Sequence, residues 1–539
     1  MRQIINDFCF TQKSFYFYLN SSNVLRYDES PKYYNYLIVK FLNNDNYFTK
    51  IAYLLYNINM ITFILGILIL VFGYVFYSRY VDKVFSPDDR LTPAHTHNDG
   101  VDFIPISKNR NALIHLLNIA GMGPIIGAVQ GILFGPIAFI LIPLGCIFAG
   151  GVHDYFAGML SVRNRGVQVT GLIHKYLGKT PFRIFMVIVS IMLLLLATVF
   201  VYTSGDLFTE RFFGVKDFAI TNPIVLCSYI VILLYFIIAT LFPIDKIIGK
   251  FYPILGILLI LGTGLVLAGF FINGVNLENF SFKHFNIHPQ NLPLIPMFFM
   301  TVSCGLLSGF HSTQATIISR TIDKETDGKR IFYGMMCIES LIAIIWAAAA
   351  MDVYSTNLVP QNLIGTVNVV NIIANKFVPL NLAFAVTLAV IILPITSGDT
   401  ALRGLRITIA DALKLEQKKI ANRLIIVIPI VICVLAVLIW AKINANSFSM
   451  IWRYFTFFNQ LIAIPTLGCA TVYLALNKKN YWITLLPALF YVFITMSFIF
   501  SEKIGFNLPL KYAQIIGFIL TLITLIYLIR HIKNTHLQK

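Results

Sequence analysis

The stretches Asn118-Ile-Ala-Gly-Met-Gly-Pro-Ile-Ile-Gly127 and Ser303-Cys-Gly-Leu-Leu-Ser-Gly-Phe-His311 place helix-weakening residues inside long apolar segments. A helix in lipid must satisfy its own backbone hydrogen bonds, and glycine and proline weaken it. A pair of such breaks in matching halves of a chain is a pointer to a transport site. The two stretches therefore predict two discontinuous helices. The alternative is that the glycines at 127, 131 and 135 serve only close helix packing.

The composition places the chain in a lipid bilayer. Of its 539 residues, 58% are hydrophobic and 12% are charged, whereas soluble domains carry about 25% charged residues. Apolar runs predict an all-α integral membrane protein with about 13 transmembrane helices. The predicted spans lie near 60–78, 113–132, 135–158, 184–203, 222–242, 254–274, 294–317, 331–352, 377–397, 424–441, 455–475, 481–500 and 512–529.

The charge distribution predicts the orientation of these spans. The net charge is +17, and if the loop after the first span is cytoplasmic, cytoplasmic segments hold 27 of the 41 Lys and Arg residues. Such a bias is typical of cytoplasmic loops and puts the C-terminus in the cytoplasm. We therefore attribute the charge to topology and predict no nucleic-acid partner. The seven cysteines are scattered without a CxxC pair, so we predict neither a disulfide framework nor a metal site.

The spans divide the chain into four parts. Residues 1–59 are rich in Asn and Tyr without a clear span, and we interpret them as an N-terminal extension, either a mis-annotated start or a dispensable tail. Residues 60–112 form the first span and a cytoplasmic approach loop. The ten spans of 113–475 form two repeats of five, about 113–274 and 294–475, and an odd number per repeat makes the second inverted. Residues 476–539 add two spans and a basic C-terminal tail.

Ionisable side chains inside spans are candidates for proton coupling, namely His153, Asp154, His311 and Glu339. Such groups are costly in lipid, by about 2.5–3.5 kcal/mol on insertion scales. Histidine titrates near neutral pH, and a nearby carboxylate tunes it. The alternatives are that His153 and Asp154 lie at a span end among lipid headgroups, and that Glu339 is only the partner of a buried histidine.

Polar groups at the two breaks are candidates for substrate binding. Exposed amides near Gly121 and Gly123 would suit a carboxylate, because the N-termini of half-helices attract anions. The alternative for the side chains is hydrogen bonding between helices. The candidate set is Gly121, Gly123, Ser303, Ser308, His311, Gln314 and Asn459, with Gln460 beside the last of these.

A third polar cluster follows Pro394. Thr396, Ser397 and Asp399 offer the hard oxygen ligands that a sodium ion uses. The alternative is a helix cap, with Asp399 or Thr400 at the start of a basic segment over 401–423.

Several segments together resemble the carbon starvation protein A (CstA) family, in its shorter bacterial form with one span before the core. They are HNDGVDFIP (97–105), NIAGMGPIIG (118–127), AGGVHDYFAGMLSVRNRG (149–166), SCGLLSGFHSTQ (303–314), DKETDGKRIFYGMMCIES (323–340), TSGDTALRGLR (396–406) and FFNQLIAI (457–464). The resemblance implies a leucine-transporter-like five-plus-five fold in a bacterial inner membrane. It also implies carbon-starvation import of short peptides or small carboxylates such as pyruvate, with protons.

We therefore expect a secondary transporter of a small-molecule substrate with H+, or Na+, as its coupling ion and no other cofactor. A membrane nutrient sensor without net flux and a sodium-coupled transporter of another solute are the alternatives. We expect no enzyme, because the sequence offers no nucleophile–base pair or metal-ligand pattern. The choice between peptide and pyruvate, and the oligomeric state, are left open by the sequence.

Overall fold

The spans of the protein are α-helices connected by short segments. The computed structural model describes residues 60–537, except 100–102, 242–244, 283–286, 414, 416–418, 444–446 and 504. The extension at 1–59 lies outside the described residues. Where the structure describes the chain, two isolated β-bridges are the only extended pairings.

The helices are numbered here in chain order, leaving out single turns. They are α1 (Ile61–Phe85), α2 (Lys108–Ile119), α3 (Gly123–Phe134), α4 (Ala138–Arg163), α5 (Val169–Leu177), α6 (Lys179–Phe213), α7 (Pro223–Leu241), α8 (Asp245–Asn273), α9 (Leu294–Thr301), α10 (Phe310–Ile318), α11 (Glu325–Ser355), α12 (Val369–Phe377), α13 (Leu380–Leu413), α14 (Ile420–Ile443), α15 (Ser447–Leu476), α16 (Trp482–Ser501) and α17 (Leu510–Leu537).

The helix lengths confirm a multi-span membrane protein. Among the described residues, 11 helices are long and apolar enough to cross a membrane, and the number rises to 12 if α2 and α3, which meet at a 53° bend, are counted as one broken span. The predicted span near 294–317 is not one continuous helix, because α9 and α10 are separated by residues 302–309. The total of 13 spans and the inverted five-plus-five repeat therefore stay predictions.

Both predicted breaks are present in the backbone. The first occupies residues 120–122, and Pro124 lies in the first turn of α3, where its missing N–H removes no helical hydrogen bond. The second contains Gly305 at φ +82°, in the left-handed region. Glycine also serves close helix packing here, as the alternative proposed, because a Cβ on Gly131 would lie 2.3 Å from Val302 at the second break. The glycines of α3 therefore bring the two breaks close together.

One predicted helix end is wrong. We expected the span at 377–397 to end near Pro394, with Asp399 or Thr400 capping the next helix. Instead, α13 continues through Pro394 to Leu413, so there is no helix start at these positions to cap. Neighbouring helices and side chains can satisfy the backbone groups that a proline frees within a membrane.

A cluster of polar contacts lies on the face that carries loop 86–107, the face predicted to be cytoplasmic. The buried Glu325 accepts hydrogen bonds from Arg163 Nε at 2.7 Å and from the backbone N–H of Asp88 at 2.8 Å. Arg163 also donates to the Tyr473 hydroxyl at 2.7 Å. Hydrogen bonds from Arg90 hold the pKa of the exposed Asp88 carboxyl well below its usual range. These groups, here called the loop-side clamp, join α4, α11, α15 and the loop.

Candidate functional site

Three helices bring the predicted proton-coupling residues together. His153 and Asp154 lie on α4, His311 on the first turn of α10 and Glu339 on α11, and none of the four side chains is exposed. Asp154 Oδ1 lies 2.9 Å from His153 Nδ1, and its Oδ2 lies 3.0 Å from His311 Nδ1. The other ring nitrogen of His311 lies 3.6 Å from Glu339 Oε1. We call Asp154, His311 and Glu339 the relay.

The relay geometry limits where protons can sit. An ionised carboxylate only accepts hydrogen bonds, so with Asp154 ionised the facing Nδ1 atoms of His153 and His311 carry hydrogens. His311 Nε2 then either holds a proton, giving an imidazolium, or offers a lone pair toward Glu339. Neither Glu339 oxygen makes a hydrogen bond of ordinary geometry to the described residues. A single proton can therefore sit on His311 Nε2 or on Glu339.

The burial of these residues corrects one alternative from the sequence. His153 and Asp154 do not lie at a span end among headgroups, because both are fully buried within α4. A wider π-helical turn at Cys146–Gly150 precedes them, and such turns are frequent at functional sites. A Cβ on Gly150 would lie 2.3 Å from the Leu306 carbonyl oxygen. The glycine therefore lets α4 pack directly on the second break and brings Asp154 to His311.

A fifth ionisable residue, His115 on α2, was missed by the sequence reasoning. Its Nε2 lies 4.0 Å from Asp154 Oδ2. It is fully buried, and neither of its ring nitrogens has a hydrogen-bond partner among the described residues. The apolar run predicted a span beginning at 113, which put this histidine near the membrane surface. Because α2 begins at Lys108, His115 lies two turns inside the helix.

The side chains of α15 satisfy the backbone of the second break. Trp452 Nε1 donates to the carbonyl of Thr301 at 2.8 Å, and Thr456 and Gln460 donate to the carbonyls of Met300 and Phe299. These three carbonyls end α9 and would otherwise lack helical partners. The break is thus held by side chains of α15, which satisfy buried non-helical backbone as a membrane environment requires.

Asn459 of α15 binds the other side of the same break. Its Oδ1 accepts the backbone N–H of Phe310 at 2.7 Å, and its Nδ2 donates to Ser308 Oγ at 3.0 Å and Ser303 Oγ at 3.3 Å. Asn459 and Gln460 were expected to line a substrate cavity, and the structure gives both a hydrogen bond to the break. A substrate contact for Asn459 or Ser303 stays a prediction, as it does for Gln314, whose amide donates to Thr313 at 3.2 Å.

A small cavity lies between the two breaks. Its volume is about 20 Å³, and five residues of its lining are Gly121, Gly123, Cys304, Ser308 and Ser397. This volume holds about one water molecule. The structure thus brings three predicted substrate residues and one predicted ion ligand to a single space, here called the break cavity.

The predicted ion ligands do not all face this cavity. Ser397 lines it, whereas Asp399 Oδ2 accepts a hydrogen bond from the Tyr235 hydroxyl of α7 at 2.8 Å. The side chain of Thr396 lies outside the described residues. A sodium site at these three residues stays a prediction.

Cys304 connects the break cavity to the relay. One donor atom each from Cys304, His311 and Glu339 lies within 4.8 Å of the others, and all three side chains are buried. Thiol, imidazole and carboxylate are donor types that could also hold a transition-metal ion. This grouping was not predicted from the sequence, because Glu339 lies 28 positions after His311 and the three residues form no paired-cysteine motif.

The chain is similar to known membrane proteins. The model of the family described as carbon starvation protein CstA matches residues 58–234, 226–379 and 361–498. A Haemophilus influenzae protein described as an uncharacterized membrane protein is 37% identical over 349 residues, covering 56% of this chain and 93% of that protein.

Two relatives carry transporter names. The Mycobacterium tuberculosis protein named peptide transporter CstA is 27% identical over 358 residues, 52% of this chain and 45% of that protein. The Escherichia coli protein named pyruvate/proton symporter BtsT is 28% identical over 341 residues, 52% of this chain and 47% of that protein. The chain matches about half the length of each. Because the family model matches most of its residues, the chain belongs to the carbon starvation protein CstA family.

Proposed function

We propose that this protein is a secondary transporter that imports a small carboxylate, with pyruvate as the first candidate, together with protons. The observation that carries this proposal is the relay of Asp154, His311 and Glu339 beside the break cavity, with Cys304 touching both. The membership of the family, in which one relative is named as a pyruvate/proton symporter, supports the same reading.

The break cavity supports a mechanism in which substrate binding requires helix movement. At about 20 Å³ it is too small for pyruvate, so α3, α10 or their neighbours must separate before a substrate fits. The start of α3 at Gly123 lies on this cavity, and the positive end of a helix dipole favours a carboxylate. Opening the cavity would therefore create a polar site of the right charge.

The relay supports a way to couple that movement to protons. His311 belongs to α10, which follows the second break, whereas Asp154 belongs to α4 and Glu339 to α11. A proton that moves between His311 and Glu339 changes the charge on His311 and hence its attraction to Asp154. The contact between α10 and α4 would then differ in strength between the protonated and deprotonated states. His153 and His115 are neighbouring groups that could exchange protons with Asp154.

Uptake by the full chain in proteoliposomes tests this proposal. Labelled pyruvate and labelled dialanine are offered separately, each under an imposed proton gradient and then under a sodium gradient. We expect pyruvate to accumulate under the proton gradient and a proton uncoupler to abolish the accumulation. Accumulation that ignores the uncoupler and follows sodium would overturn proton coupling and favour the sodium alternative at Ser397.

Variants separate coupling from binding. We expect Glu339→Gln to abolish gradient-driven accumulation while pyruvate exchange across the membrane at equal concentrations persists, because exchange needs no net proton movement. The exposed Glu278→Gln is the matched control and should retain both. Wild-type protein that is folded but shows neither accumulation nor exchange would instead indicate a sensor or a transporter of another solute.

A further inference from the structure

A second and larger cavity opens on the face opposite the loop-side clamp. Its volume is about 620 Å³, and parts of α3, α6, α14 and α15 line it together with loops that precede α9 and α12. Its lining includes Thr301, the last residue of α9 before the second break. This far-side cavity, on the face predicted to be external, therefore reaches the edge of the second break.

Most charged groups of the far-side cavity already have partners. Lys442 Nζ donates to both oxygens of Asp206, at 2.8 and 2.7 Å, and the Tyr229 hydroxyl donates to the same carboxylate. Burial and the nearby charge of Arg453 lower the pKa of His288 to about 4, so this histidine adds no positive charge at neutral pH. Lys216 is exposed to solvent.

Arg453 differs from these groups because it is largely buried and the ion pair that it makes with Glu502 is too long for a hydrogen bond. Its side chain is 14% exposed, and its Nε makes no hydrogen bond to the described residues. The nearest carboxylate oxygen is Glu502 Oε2, 3.9 Å from Nε, which is beyond hydrogen-bond distance. A guanidinium presents donors in a planar fork that matches a carboxylate. A small carboxylate in the cavity would supply the acceptors that Arg453 lacks.

We propose that Arg453 is a binding residue that takes the carboxylate of the substrate in the far-side cavity before the substrate reaches the break cavity. This inference rests on the proposed function and extends it to a first binding site. The chemical class is a small carboxylate anion, and the recognised group is the carboxylate itself.

The position of Arg453 on α15 supports a path from this site to the breaks. Asn459, at the second break, is six residues farther along the same helix, or about 9 Å at 1.5 Å per residue. Trp452, next to Arg453, donates to the Thr301 carbonyl at 2.8 Å and lies beside Gly127 of α3. The indole therefore packs against both the end of α9 and α3, the helices that border the second and the first break.

Binding of pyruvate and of its neutral analogue pyruvamide to the purified full chain tests this inference. In Arg453→Gln we expect pyruvate affinity to fall about 10- to 100-fold, the range for losing charge-assisted hydrogen bonds. The affinity for pyruvamide, measured by competition, should change by less than about 3-fold, since it presents no carboxylate charge. The preference for the acid over the amide should therefore collapse, which a purely structural role would not produce.

The matched control is Lys216→Gln, which removes one positive charge from the same cavity at an exposed position. It should change pyruvate affinity by less than about 3-fold, because exposed charges are screened. Arg453→Gln also leaves Glu502 without its cation, so Arg453→Gln combined with Glu502→Gln keeps the charge balance if the single variant unfolds. The double variant should show the same lost preference.

Two results would overturn the inference, and they differ in what they say of the proposed function. If the wild-type protein accumulates pyruvate and both Arg453 variants keep its preference for pyruvate over pyruvamide, the inference fails and the proposed function stands. If folded wild-type protein binds neither pyruvate nor dialanine, both fail together.

Discussion

Removing the side chain of Asn459 should destabilise the second break more than any ordinary hydrogen-bond deletion in α15. The residue is fully buried, and its Oδ1 is the acceptor for the Phe310 backbone N–H, at 2.7 Å. This N–H lies in the first turn of α10, where no helical carbonyl is available to it. The Asn459 amide also bonds Ser308 and Ser303.

The size of the effect follows from these contacts. A buried donor left without a partner costs about 1–3 kcal/mol. Side-chain hydrogen bonds between membrane helices average about 0.6 kcal/mol each, and Asn459→Ala removes two of them. We therefore expect Asn459→Ala to lower the free energy of unfolding by about 2–4 kcal/mol.

Unfolding of the purified protein in mixed micelles, with sodium dodecyl sulfate as denaturant and helical circular dichroism as the signal, measures this loss. Thr471→Ala is the matched control. Its hydroxyl, on the same helix, contacts the Leu467 carbonyl and the Thr484 hydroxyl, both at 2.9 Å, and its removal leaves no backbone N–H unpaired. We expect Thr471→Ala to lower the free energy of unfolding by about 1 kcal/mol. Equal losses in the two variants would refute the reasoning that Asn459 supports the break.

Three further predictions concern the break cavity, the clamp and the relay. Gly123→Ala should abolish uptake, because the added Cβ would lie 2.2 Å from the sulfur of Cys304 in the second break. Gly121→Ala should retain uptake, because the nearest atom to its added Cβ would be 3.7 Å away. Glu325→Gln should lower the free energy of unfolding by about 1–3 kcal/mol, since it weakens a buried ion pair. Asp323→Asn, at the exposed pair with His95, should lower it by less than about 1 kcal/mol, and similar values for the two variants in micelle unfolding would contradict this. Asp154→Asn should lose proton-driven uptake but retain pyruvate exchange, and retained uptake sensitive to the uncoupler would count against the relay.

The sequence predicts features whose causes are local in the chain. Gly121, Gly123 and Pro124 weaken a helix through their own backbone properties, and their clustering within four residues predicts the first break, as the glycines around Gly305 predict the second. The energetic cost of an ionisable group in lipid likewise singles out Asp154, His311 and Glu339. For these residues the identity of the candidates required no knowledge of the tertiary structure.

Contacts between distant segments could not be predicted in the same way. Asp154 and His311 are separated by 157 positions, and only the packing of α4 on the second break brings them together. Helix ends were also misjudged where polar residues continue a helix. The span predicted near 455–475 left Arg453 outside it, yet α15 begins at Ser447, so this arginine lies within a helix and lines the far-side cavity. A hydropathy pattern ends a predicted span at a polar residue, because it does not distinguish a side chain that faces lipid headgroups from one that faces a cavity inside the protein.

Helix α4 carries one residue of the relay and one of the loop-side clamp, so it would connect the two in the proposed transport cycle. Asp154 and Arg163 are nine residues apart on α4, about 13 Å along the helix axis. Their partners, His311 and Glu325, both lie on the segment that follows the second break. In the proposed transport cycle, a change in charge at the relay would alter one of these two links, and movement of α4 as a rigid helix would strain the other. Because the clamp lies on the face predicted to be cytoplasmic, this arrangement would let protonation beside the break cavity influence whether that face opens.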